Sequence, residues 1–191
     1  MTGANPVSTL MCTSVDLGSD STLFDSTAYC RVIGRLQYLS ITRPDISFAV
    51  NRLAQSMASP TEGHWLAVKR ILRNLKSTLL FGLHFRRGSP LSLVAYSNSD
   101  WGSVRDRGRS TTAYCVFFGP NIISWKSVKQ CSISRSSTEA EFRVLVNSAA
   151  EVMWVQSLLR ELGIRLCSTP RLITNNLSAS YVCKNLVFHS V

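Results

Sequence analysis

Thr111-Thr112-Ala113-Tyr114-Cys115-Val116-Phe117-Phe118, then Gly119-Pro120-Asn121, then Ile122-Ile123-Ser124-Trp125, reads as two strands joined by a hairpin turn. Upstream, Leu91 to Ser97 reads as another strand, and downstream Cys131 to Ser134 as a short one. Ser136-Ser137-Thr138-Glu139 carries a capping-box pattern, so Glu139 is expected to reach back to the Ser136 amide. That box opens the longest helix, which runs to about Leu162 and stops at Gly163. Leu145, Ala149, Val152 and Leu159 lie near one of its faces, widened by Phe142, Met153 and Trp154. Arg171 to Thr174 is then a short strand and Leu177 to Lys184 a short helix. Antiparallel strands, a long helix, a strand and a helix specify a mixed α/β domain.

Working towards the N-terminus, Arg86-Arg87-Gly88-Ser89-Pro90 reads as a turn and a domain boundary, and Leu79 to Phe85 as strand-like. The α/β domain is accordingly assigned to residues 87–191 and a helical segment to residues 28–86. In the helical segment, Tyr29, Val32, Ile33, Leu36 and Leu39 fall at helical spacing. Ile46, Val50, Leu53 and Met57 mark a second helix with Pro44 near its first turn. Ser59-Pro60-Thr61-Glu62 reads as a second capping box, followed by a stripe of Trp65, Val68, Ile71, Leu72 and Leu75. Lys69, Arg70, Arg73 and Lys76 share that helix, either as a solvated face or as the flank of a nucleic-acid path. Residues 1–27, rich in Ser, Thr, Asp and Gly, read as an extended or disordered lead-in.

Composition narrows the class of partner. The 21 Lys and Arg against 11 Asp and Glu give a formal charge of +10, and the pI is near 9.8. That balance excludes an acidic solvating protein and favours a polyanion. Six cysteines are scattered without a Cys-x-x-Cys pair, and none of the three histidines sits near them, so no zinc site is expected. Reduced thiols and an intracellular location are the expectation. Neither a secretory leader nor an apolar run approaching 18 residues is visible, so no membrane partner is expected.

Polar residues gather where α/β sheets place their sites: Tyr96-Ser97-Asn98-Ser99-Asp100-Trp101 at a strand end, Ser136 to Phe142 at a helix start, and Ile173-Thr174-Asn175-Asn176 at another strand end. Several blocks then carry a family resemblance. They are Leu36-Gln37-Tyr38-Leu39, Thr42-Arg43-Pro44-Asp45-Ile46 with the run to Leu53, and His64-Trp65-Leu66-Ala67 with the run to Arg73. Further on come Arg109-Ser110-Thr111-Thr112, Ile123-Ser124-Trp125-Lys126, Ser134-Arg135-Ser136-Ser137-Thr138-Glu139-Ala140-Glu141-Phe142 and Val187-Phe188-His189. In this order they resemble the copia-type retrotransposon Pol polyprotein, from the end of its reverse transcriptase through most of its ribonuclease H domain. The resemblance implies a ribonuclease H-like mixed sheet with flanking helices, preceded by a helical reverse-transcriptase tail. It also implies that a final strand and helix are missing, leaving an open sheet edge for self-association.

The family's ribonuclease H site is a set of carboxylates holding two magnesium ions, which cut the RNA strand of an RNA–DNA hybrid. The first family Asp falls on Asn98, the family Glu on Glu141, and the third carboxylate, an Asp, on Asn175. The last acidic position lies beyond Phe188-His189, where this chain ends in Ser190-Val191. Glu141 is therefore the one retained metal ligand, and no bound magnesium is expected. Asp100, two residues past Asn98 and so on the same strand face, is a weak substitute. Glu139 lies about 200° around the helix from Glu141 and cannot face the same metal. His189 reads as a frayed terminal residue, and Trp101 and Trp125 as core rather than base-stacking platforms. These readings make the chain a degenerate, catalytically inactive polyprotein fragment. The alternatives are a non-catalytic binder of RNA–DNA hybrid and an active nuclease with a rearranged site.

Overall fold

The computed structural model describes residues 3–11, 22–88, 90–102 and 108–184. They form two compact units, divided between Leu83 and His84, just ahead of the stretch read from the sequence as the domain boundary.

The first unit is helical. Helix α1 (Ser26–Leu39) is capped by the Asp25 carboxylate, which accepts from the Thr27 amide. A 3₁₀ turn at Pro44–Ile46 leads into α2 (Ser47–Ala54), and α3 (Glu62–Ser77) follows. The apolar positions read from the sequence converge. Tyr29, Ile33, Leu36, Ile46, Val50, Leu53, Val68 and Ile71 form one buried cluster, with Trp65, Leu72 and Leu75 packed against it. The buried Tyr29 hydroxyl donates to the Leu53 carbonyl at 2.9 Å, so its polar atom is satisfied. Arg43 is also buried. It reaches both Asp45 oxygens at 2.9 and 2.7 Å and, across the unit, the Thr78 carbonyl and hydroxyl at 2.9 Å each.

Two expectations for this unit are corrected. The cap of α3 is Thr61, not Ser59, and His64 takes the place of the glutamate in the box. The reason lies in the preceding chain. Phe24 N–H donates to Pro60 O at 2.9 Å and Glu62 N–H to Thr22 O at 3.0 Å, which holds the backbone extended through Thr61 and delays the helix. His64 Nδ1 accepts from the Thr61 amide at 3.2 Å, while the ring's Nε2 sits 2.8 Å from Ser56 Oγ. Thr61→Ala should lose the cap and unsettle a buried histidine. A stability loss of about 1–2 kcal/mol by urea unfolding is expected.

Nor is the lead-in simply extended or disordered over its described parts. Leu10 and Met11 pack against the core, and Phe24 stacks on Trp65 with ring centroids 4.5 Å apart. Asn74 Nδ2 donates to Val7 O at 3.0 Å. Helix α1 starts at Ser26, inside the span assigned to the lead-in.

The second unit is a mixed α/β sheet. Strands β1 (Leu93–Asp100), β2 (Thr111–Phe118), β3 (Asn121–Lys129) and β4 (Arg171–Thr174) lie in the order β3-β2-β1-β4. The first three pair antiparallel, and β4 joins β1 in parallel. The β2–β3 turn uses Gly119 at φ 55°, a conformation that favours glycine. Helix α4 (Ser137–Glu161) supplies the crossover between the two parallel strands and covers one face of the sheet. Leu93, Ala95, Tyr114 and Val116 meet Val152, Val155 and Leu159 there. Gly163, at φ 73°, follows the end of α4, and α5 (Leu177–Lys184) follows β4.

Several sequence expectations shift in this unit. Leu79 to Phe85 forms no strand. Its start is a turn, with Phe81 N–H bonded to Thr78 O, and Leu79, Leu80, Phe81 and Phe85 are exposed. Cys131 to Ser134 is not a strand either. Ser134 Oγ donates to Gln130 Oε1 at 2.8 Å, and Gln130 Nε2 donates to Ala140 O at 3.1 Å, so side chains rather than a ladder hold this corner. Met153 and Trp154 face solvent instead of widening the apolar face, which Ala140, Val144 and Val155 complete. Trp101 is exposed, with Nε1 donating to Ser134 O at 3.2 Å. Among the described residues no helix is long and apolar enough to cross a membrane. Leu186, Val187 and His189 lie outside the described residues.

Candidate functional site

Strands β1 and β4 are adjacent and parallel, with Ser97 opposite Thr174. Asn98 and Asn175 each lie one residue further along, at the C-terminal ends of neighbouring strands. Crevices at such ends are where open α/β sheets bind ligands. Both asparagines are exposed. Leu93, Ala95 and Ser97 are buried towards α4, so alternation along the strand puts Asn98 on the opposite face, with Tyr96.

Glu141 reaches this end of β1 from the first turns of α4. It is 5% exposed, and its Oε1 accepts from the Ser99 amide at 2.9 Å. Its Oε2 is buried without a hydrogen-bond partner. Burial pushes the carboxyl above the usual carboxylate range, and the Ser99 amide acts in the other direction. Ser99, which the sequence reading passed over, thus sits between the two candidate positions, and its backbone is what Glu141 holds.

The remaining candidates are placed as follows. Asp100 closes β1, and its carboxylate accepts from the Thr111 amide across the strand pair. Glu139 is on another side of α4. It accepts from the Arg135 amide at 2.7 Å and pairs with Arg143 at 2.6 Å, so it does not return to the Ser136 amide as expected. Its backbone amide does donate to Ser136 Oγ, at 3.1 Å. The amide of residue 135 lies within its reach because the Ser136 cap is extended. Among the described residues no group of three or more His, Cys, Asp or Glu side chains is placed to hold a metal ion. Lys69, Arg70, Arg73 and Lys76 belong to α3 in the other unit.

Comparison with known proteins identifies the lineage. The chain is 48% identical over its whole length to the retrovirus-related Pol polyprotein from transposon RE2 of Arabidopsis thaliana. It is 50% identical, again over its whole length, to that from transposon RE1 of the same plant. The chain belongs to the copia-type retrotransposon Pol polyproteins. A Pol polyprotein of Nicotiana tabacum, from transposon TNT 1-94, is 33% identical over 85% of the chain. The chain spans 13% of the length of the two Arabidopsis Pol polyproteins and 12% of the tobacco one. No family model and no solved structure matches it.

Proposed function

We propose that this chain is the stretch of a Pol polyprotein that runs from the end of the reverse transcriptase into a ribonuclease H-like domain, and that it contacts nucleic acid without cutting it. The sheet order and the parallel β4 beside β1 support the ribonuclease H-like reading. The observation that carries the inactivity is the donor set at the strand ends: two exposed amides, Asn98 and Asn175, with one buried carboxylate, Glu141, half of which is spent on the Ser99 amide. Two magnesium ions need several carboxylates to offset their mutual repulsion, and this donor set does not fit them. Asp100 does not repair it, since its carboxylate is engaged by Thr111. The charge of +10 supports contact with RNA–DNA hybrid or other nucleic acid, because phosphate contacts require only Lys and Arg.

Titrating magnesium or manganese into the chain by calorimetry tests the reading. No saturable binding is expected below about 10 mM, consistent with a site lacking the charge that hard cations demand. Tight, stoichiometric binding that disappears in Glu141→Gln would show that the site still works as a metal centre.

Self-association is part of the same proposal. Among the described residues strand β4 is a sheet edge of four residues, and Leu172 and Ile173 on it are both 40% exposed. Unprotected edges of this kind template further pairing. Sedimentation velocity is expected to show concentration-dependent association that Ile173→Lys reduces.

A further inference from the structure

Three cations of α3 bond the chain's lead-in. Arg70 Nε donates to Thr9 O at 3.2 Å, and its Nη2 bonds the Thr9 hydroxyl. Arg73 Nε donates to Asn5 O at 2.6 Å, and Lys76 Nζ to Ala4 O at 3.1 Å. Arg70, Arg73, Asn74 and Ser77 recur at helical three- and four-residue spacing and so share one face. A single segment, residues 4–9, lies along that face and is anchored at its end by Leu10 and Met11, which are partly buried against the core.

The acceptors are of the wrong kind for a permanent partner. Residues 3–11 (Gly-Ala-Asn-Pro-Val-Ser-Thr-Leu-Met) contain no Asp or Glu, so the acceptors they offer Arg70, Arg73 and Lys76 are neutral carbonyls and a hydroxyl. Helix α3 itself holds four basic residues against the single acidic Glu62. The segment therefore covers Arg70 and Arg73 without itself supplying a counter-charge. Charge-assisted bonds to an anionic oxygen are roughly twice as strong as bonds between neutral groups. A phosphodiester backbone would thus outbid the carbonyls contact for contact, while the segment holds its place by being part of the same chain.

We propose that residues 4–9 form a strap that masks a phosphate-binding row of Arg70, Arg73 and Lys76, and that nucleic acid and strap compete for those three side chains. This inference rests on the proposal that the chain contacts nucleic acid, and adds where contact occurs and what gates it. The chemistry recognised is a polyphosphate backbone, because all three groups are cations of the kind that contact phosphate oxygens.

The test uses the whole chain and a fluorescent RNA–DNA hybrid, with affinity measured across a salt series. Leu10→Ser combined with Met11→Ser removes the apolar anchor without changing charge. The released chain is expected to bind at least tenfold more tightly at low salt. Its log–log salt slope should be steeper by about 2–3, since each neutralised phosphate contributes about 0.9. Adding Arg70→Ala and Arg73→Ala to the released chain should abolish most of that gain. Because the double variant also loosens the core, a second measurement uses the wild-type chain. Hydrogen exchange in a peptide covering residues 1–11 should accelerate when hybrid saturates the protein. Equal affinity and slope in the two chains, with strap exchange unchanged by hybrid, would overturn the strap and leave nucleic-acid contact standing. No binding by either chain at low salt would overturn nucleic-acid contact, and the strap with it.

Discussion

A labelled RNA–DNA hybrid incubated with the purified chain and magnesium or manganese is expected to remain uncut. On the ribonuclease H-like reading proposed above, two of the positions that would carry charge, near the ends of β1 and β4, are Asn98 and Asn175. An amide oxygen can touch a cation but brings no charge. A unit charge pair at 4 Å and an effective dielectric of about 20 is worth roughly 4 kcal/mol, and about double against a divalent ion. Even a fraction of that, at about 1.4 kcal/mol per tenfold in rate, removes several decades for each lost carboxylate. The control is Glu141→Gln, which should leave the same background as the wild-type chain. Metal-dependent cutting that vanishes in this variant would instead place an active centre around Glu141.

The second large effect concerns Arg43. Arg43→Ala is expected to destabilise the helical unit by about 2–3 kcal/mol. Arg43 is 5% exposed, and its guanidinium ties the turn at Asp45 to the end of α3 at Thr78, with the Phe81 ring centroid 5.8 Å away. Removing one partner of a buried pair usually costs 3–5 kcal/mol; the lower figure applies here because the Asp45 side chain is 44% exposed and water can compensate it. Hydrogen exchange at the α3 amides reads the change in this unit alone. Arg43→Lys should recover only a minor part, since an ammonium cannot reach both carboxylate oxygens and Thr78 together. The pair also sets a pH dependence. Hydrogen bonds from Arg43 hold the Asp45 carboxyl below the usual range. An unfolded aspartate protonates near pH 3.9, so the pair's contribution is present above that value and is lost as pH falls through the lower folded value. Below about pH 4 the wild-type unit should weaken, and Asp45→Asn should flatten that part of the profile. An acid limb equally steep in Asp45→Asn would assign the loss to other carboxyls.

Arg43 and Thr78 show where reading the sequence stops. Their contact crosses 35 positions and has no periodic signature. The periodic elements, by contrast, were legible: β2, β4 and α5 have the bounds that alternation and helical spacing imply, and Ser136 caps α4. Spacing could not tell which apolar residues a helix leaves outside. Met153 and Trp154 lie next to Val152 and Val155 but turn to solvent, because the sheet covers only one side of α4. Leu79 to Phe85 has strand-like composition, but a strand also needs a neighbour to accept its ladder. At the candidate site, Asn98, Glu141 and Asn175 could be located only through the family pattern. The bond from Ser99 to Glu141 involves a backbone amide, which leaves no trace in residue identity.

The parallel pairing of Ser97 with Thr174 has a kinetic consequence. Strands β2 and β3 meet across a tight turn, whereas β4 reaches β1 only after the whole of α4 has been laid down. Contacts so distant along the chain carry a larger loop-closure cost and form slowly. The ends holding Asn98 and Asn175 are therefore brought together late in folding. The β2–β3 hairpin should gain protection early in a pulse-labelling experiment. Residues Arg171–Thr174, joined to the sheet on one side only among the described residues, should be the last to close and the first to open.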